Sequence, residues 1–149
     1  MDYRYPIISG TATITVTAAD HASFILESTE VERNVSNAIS FDHLVSFSPA
    51  TRSFDFETVS AGGYSGAFSI LKTIGEAHYF LSRINIAPPS GSPIPVVWAY
   101  NPGGESFYSI DEAFILIARQ NDAHFHKSII AHEYGHYVMF HNLPHNRSC

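Results

Sequence analysis

The sequence predicts an α+β fold: a β-rich first half, then a helix, a mixed sheet and a last helix. Three observations carry that expectation. Threonine alternates with apolar residues over positions 11–18. Apolar residues recur every three or four positions from Ala67 to Leu81. A continuous apolar run, Phe114-Ile115-Leu116-Ile117-Ala118, shortly precedes a histidine-rich stretch with helical spacing.

The elements follow in chain order. At residues 11–18 the period of two places Ala12, Ile14, Val16 and Ala18 on the inward face of a half-buried strand. Residues 44–47 and 53–57 are weaker strand candidates, with Phe54 and Phe56 sharing a face. Residues 60–66, rich in Gly and Ser, read as a link. A helix is expected over 67–83, with Ala67, Ile70, Leu71, Ile74, Ala77 and Leu81 as its buried stripe and His78 on the same side. Pro88, Pro89, Pro93 and Pro95 mark a loop. A strand over 94–100 carries the single tryptophan, Trp98, and Pro102-Gly103-Gly104 forms a turn. Short strands follow at 106–108 and 113–119, the latter apolar on both faces and therefore covered on both. The last helix is expected over 123–141, with Asp122 as a possible cap and Leu143-Pro144 as its stop. These elements divide into a β-rich segment, residues 1–60, and a second part, residues 61–149.

Composition excludes several classes of function. At 149 residues and 45% apolar content, with 11 Phe and 8 Tyr, the chain has material for one packed core. The net charge is −6 and no basic run occurs, so a nucleic-acid partner has no electrostatic footing. No apolar stretch approaches the ~20 residues of a membrane span. Cys149 is the single cysteine, which leaves no internal disulfide. Residues 1–10 lack the apolar core of a signal peptide. Six of the nine histidines lie between His124 and His145, so the chemistry is concentrated at one end.

That end contains His132-Glu133-Tyr134-Gly135-His136, an H-E-x-x-H match. Residues four apart on a helix share a face, so both imidazoles can address one ion. Zinc accepts neutral imidazole at about 2.0–2.1 Å. Glu133 is turned about 100° from His132. It is placed to take a proton from a water held by that ion, which makes it the candidate general base. Ile130, Tyr134 and Val138 form the opposite, core-facing side. A glycine inside a helix costs roughly 1 kcal/mol relative to alanine, so Gly135 is expected where another backbone packs closely.

The order of helix, strand, Ser106-Phe107-Tyr108, apolar strand and H-E-x-x-H helix resembles the front half of the catalytic domain of gluzincins, the thermolysin-like zinc metallopeptidases. The resemblance covers residues 63–141. Ser106-Phe107-Tyr108 looks like the family's N-A-F-[WY] edge-strand segment, with Ser in place of Ala. The resemblance implies a zincin-like subdomain with His132 and His136 as Zn2+ ligands and Glu133 as general base. It implies an endopeptidase acting on a peptide or protein substrate, held along Ser106, Phe107 and Tyr108 as an added strand. It also implies a secreted protein. The family's third ligand is a glutamate on a later helix, and here Glu133 is the last acidic residue. The family's later oxyanion-stabilising Tyr or His and its acidic calcium-binding run are also missing.

Two sources of a third ligand follow. The chain is read as the front part of a longer protein whose later helix supplies it. Alternatively, His145 folds back after Leu143-Pro144. The metzincin pattern is broken, because Met139 and Asn142 occupy its Gly and third His positions. His78 is read as a hydrogen-bonded histidine, His124 and His126 as exposed. The rival to the peptidase is a non-catalytic zincin-like binding or structural domain, with or without a His-only zinc site.

Overall fold

The computed structural model describes residues 9–30, 32–47, 63–87, 89 and 93–142. The strand expected over residues 53–57, and also His145 and Cys149, lie outside these. The described chain is α+β. Its elements are β1 (Gly10–Thr17), β2 (Ser23–Leu26), β3 (Ser40–Phe47), α1 (Ser65–Arg83), β4 (Ile94–Ala99), β5 (Phe107–Ser109), β6 (Phe114–Ala118) and α2 (Lys127–Asn142).

The strands form two sheets. β1 and β3 pair antiparallel over eight positions, from Gly10 opposite Phe47 to Thr17 opposite Ser40. The threonines of β1 are exposed while Ile14 and Val16 are half-buried and Ala18 is fully buried, as the alternation requires. Phe41 of β3 lies against Tyr64 and Phe68, with ring centroids 6.1 and 5.9 Å apart, which ties this ribbon to the start of α1.

The second sheet has the order β2-β4-β6-β5. The first three strands are parallel and β5 adds antiparallel at the edge. β2 comes from the first sixty residues yet sits in the same sheet as the strands of the second part. Its four residues are buried on both faces. Ile25 joins Val96, Trp98, Ile115 and Ile117 beneath the helices. Phe24 and Leu26 join Val97, Phe114 and Leu116 on the other face, where Ala38 covers them.

Both helices lie on one face of this sheet. α1 contributes Ala67, Ile70 and Ile74, and α2 contributes Ile130, Tyr134 and Val138. Of the expected α1 stripe Ala67, Ile70 and Ile74 are buried, while Leu71, Ala77 and Leu81 are half-buried against the same core, and Thr73 joins the buried set. α1 begins two residues before the expected start, and Gly66 lies inside it. A Cβ on Gly66 would fall closer than 3.0 Å to the rings of Trp98 and His124. Only glycine lets the first turn of α1 approach those rings.

α2 starts at Lys127, not near residue 123, and Asp122 does not cap it. Asn121 and Asp122 adopt left-handed backbone angles, with φ of 61° and 53°. That pair breaks the helical path and leaves a short 3-10 segment, Gln120–Phe125, ahead of the helix. Among the described residues no helix is long and apolar enough to cross a membrane.

Candidate metal centre

α2 carries its polar chemistry on the side away from the sheet. Ile130, Tyr134 and Val138, spaced by four, fix one face in the core. His132 and His136 then fall on the outer side, and both are exposed. Their Nε2 atoms approach to 3.0 Å, with ring centroids 4.5 Å apart and ring planes at 85°. If one Nε2 is protonated, the two rings share a hydrogen bond. If neither is, two lone pairs converge on one point, an arrangement that favours a cation between them. Two imidazoles on one tetrahedral zinc at about 2.0–2.1 Å have nitrogens roughly 3.3 Å apart. The pair therefore fits half of a zinc site. Among the described residues no group of three His, Cys, Asp or Glu converges to complete it.

Glu133 lies one position round the helix and is 8% exposed. Its side chain lines a cleft of about 540 Å³ together with His136. The opposite wall is β5 and its flanks: Ser106, Phe107, Tyr108 and Ile110. The structure thus brings the general-base candidate, one metal-ligand candidate and all three substrate-binding candidates to one cleft. Among the described strands β5 is the sheet's edge, with no strand paired on its outer side. The strand runs over Phe107–Ser109, one residue later than expected. The Ser106 hydroxyl accepts a hydrogen bond from the Ala118 amide (3.0 Å), which anchors the start of β5 to β6. Tyr108 packs against Tyr137 and Phe140 of α2, with centroids 5.8 and 6.4 Å apart. Its buried hydroxyl has no hydrogen-bond partner among the described residues, and burial raises its pKa.

The remaining histidines divide. His78 Nδ1 lies 2.9 Å from the Tyr134 hydroxyl, so α1 is hydrogen-bonded to the middle of the motif helix from its inner side. Burial, then the neighbouring His21, lowers the His78 pKa. Burial raises that of Tyr134. The Tyr134 phenol is therefore the donor and neutral His78 the acceptor. His126 is exposed as expected, but His124 is not. It is buried edge-on to Trp98, with centroids 5.1 Å apart, because the left-handed turn at Asn121-Asp122 folds it inward. Burial lowers its pKa also.

Gly135 differs from expectation. Among the described residues nothing lies within 4 Å of a Cβ built there. It lines an apolar groove of about 430 Å³ between α2 and the end of α1, with Phe80, Leu81, Ile86 and Val138. His136 lines the cleft and not this groove, and Met139 lines both hollows.

Sequence reasoning missed a second hollow of about 440 Å³, lined by Glu105, Ser106, Asn121, His126 and Ile129. It shares Ser106 with the cleft. Its sequence signal was the Asn-Asp pair, whose residue types tolerate left-handed angles. No family model, no curated protein and no solved structure matches this chain.

Proposed function

We propose that this chain carries the zinc helix of a gluzincin-like metallopeptidase that cleaves peptide bonds within an extended segment. The observation that carries the reading is the meeting of the His132 and His136 Nε2 atoms at 3.0 Å beside a buried carboxylate in an open cleft. The mixed sheet with an antiparallel edge strand facing the motif helix is compatible with the zincin-like arrangement. His132 and His136 would hold the zinc. When bound, zinc would supply Lewis-acid polarisation of a carbonyl and lower the pKa of a water.

The chain's own residues divide the remaining work. β5 offers its open edge to the backbone of the substrate and holds it extended. Glu133 takes a proton from the attacking water as its oxygen bonds to the carbonyl carbon. It then passes that proton to the departing amine nitrogen as the C–N bond breaks. Its low exposure keeps bulk water from competing for the carboxylate.

One observation favours a second reading. The described residues supply two ligands, whereas zinc enzymes use three. A non-catalytic zinc-binding domain needs no general base. Metal analysis and peptide hydrolysis on the purified chain, beside His132→Ala and Glu133→Gln, separate the two. The peptidase reading expects His132→Ala to lose zinc. It expects Glu133→Gln to keep zinc and lose at least a hundredfold in turnover, within the range of positioned acid–base catalysis at ~10²–10⁴. Retention of zinc with no hydrolysis by the parent chain would favour the binding domain. Absence of zinc binding would remove both.

A further inference from the structure

We infer that the cleft and the hollow beyond Ser106 form one trough, and that Glu105 selects a cationic side chain at one end while an apolar subsite takes a bulky side chain at the other. The inference rests on the peptidase reading and names the substrate class of that site.

The two hollows share Ser106. On α2, Ile129 lines one and Glu133 the other, and these residues are one helical turn apart. The trough therefore runs along β5 with α2 as its second wall. On the strand side it spans residues 104–110, at most about 20 Å at ~3.3 Å per residue. On the helix side it spans Ile129 to Phe140, about 16 Å at ~1.5 Å per residue. That length admits roughly five residues of extended peptide. Glu133 and His136 lie within the trough and not at an end, so substrate residues extend to both sides of the reacting bond.

The two ends differ in chemistry. One presents Phe107, Ile110, Met139 and Phe140. Ile110 is 55% and Met139 59% exposed, which is costly apolar surface unless something covers it. The other presents Glu105, Asn121 and His126. No described lysine or arginine lines either hollow, and Glu105 and Glu133 are the two carboxylates among the lining residues. No described cation pairs with the Glu105 carboxylate. Walls that focus negative potential, on a chain of net charge −6, favour a lysine or arginine there over an acidic residue.

The test uses the zinc-loaded full chain and two fluorescein-labelled hexapeptides, identical except for lysine or glutamate at the position that reaches Glu105. Each carries phenylalanine toward the other end. Anisotropy titration is expected to show the lysine peptide bound about tenfold more tightly, with the margin shrinking as salt is raised. Glu105→Lys, a substitution at an exposed site, is expected to reverse the preference. Phe140→Ala is expected to weaken both peptides about fivefold without changing their ratio. A preference unchanged in Glu105→Lys would overturn the inference, as would failure of the lysine peptide to bind. Mass spectrometry of the same mixtures reports on the peptidase reading separately. Hydrolysis without dependence on Glu105 sinks the trough inference and leaves the peptidase. Dependence on Glu105 without hydrolysis supports the trough and counts against the peptidase.

Discussion

The two faces of α2 were made by the same sixteen residues and obey different rules. On the inner face Ile130, Tyr134 and Val138 are packed, and the one polar atom there, the Tyr134 hydroxyl, is satisfied by His78. On the outer face His132 and His136 touch chiefly each other. The inner face fixes where the helix sits, and among the described residues the two outer histidines hold no other side chain. Substitutions on the inner face should therefore cost stability, while those on the outer face should cost chemistry.

The largest effect expected on this contrast is Ile130→Ala. Ile130 is fully buried between the sheet and α1, and truncation of such a side chain costs about 2–5 kcal/mol, transfer and cavity together. Chemical denaturation should show the midpoint falling with little change in slope. His132→Ala, on the outer face, should leave the unfolding free energy within about 0.5 kcal/mol of the parent. Equal losses from the two substitutions would break the division.

A smaller effect concerns the Tyr134–His78 link. Tyr134→Phe removes the donor and should cost about 1 kcal/mol. It also bears on pH. His78 and His124 both titrate below their ordinary value of 6.5 in the folded chain, chiefly through burial. The unfolded chain therefore binds more protons than the folded one once pH falls below about 6.5. Stability from these two residues is complete above that pH and is lost as pH drops through it towards the lower folded values. Denaturation at pH 7.5 and 5.5 should show this loss, and His78→Asn should reduce it. A chain equally stable at both values would contradict the burial of both rings.

What the sequence revealed of this arrangement follows from periodicity. The alternation in β1, the apolar run of β6, and the stripes of both helices each repeat within one element, so they could be read without tertiary context. The motif on α2 was legible for the same reason. β2 was not, because four residues are too short to show a period, and its burial comes from β4 pairing beside it. The start of α2 was misplaced because two consecutive residues take left-handed angles that residue type permits but does not demand. His124 reads as a polar residue on a turn until Trp98 and Gly66 of other elements close on it. The Glu105 end of the trough required β5 and α2 to be placed side by side. His145 lies outside the described residues, and its candidacy as third ligand stands as the sequence left it.

Gly135 sharpens the comparison from the boundary between the two faces. Its sequence context suggested close packing, and in that case alanine would clash and destabilise. The structure leaves the Cβ direction open, over the groove shared with Phe80 and Leu81. Gly135→Ala should then gain about 0.5–1 kcal/mol, from helix propensity and from the smaller entropy of the unfolded chain. Thermal melting of the chain as it stands should register an increase of a few degrees. A decrease would mean that a neighbour does approach Gly135 in solution. The outer face of α2 would then have a structural duty after all, and the division between its two faces would fail at the residue next to His136.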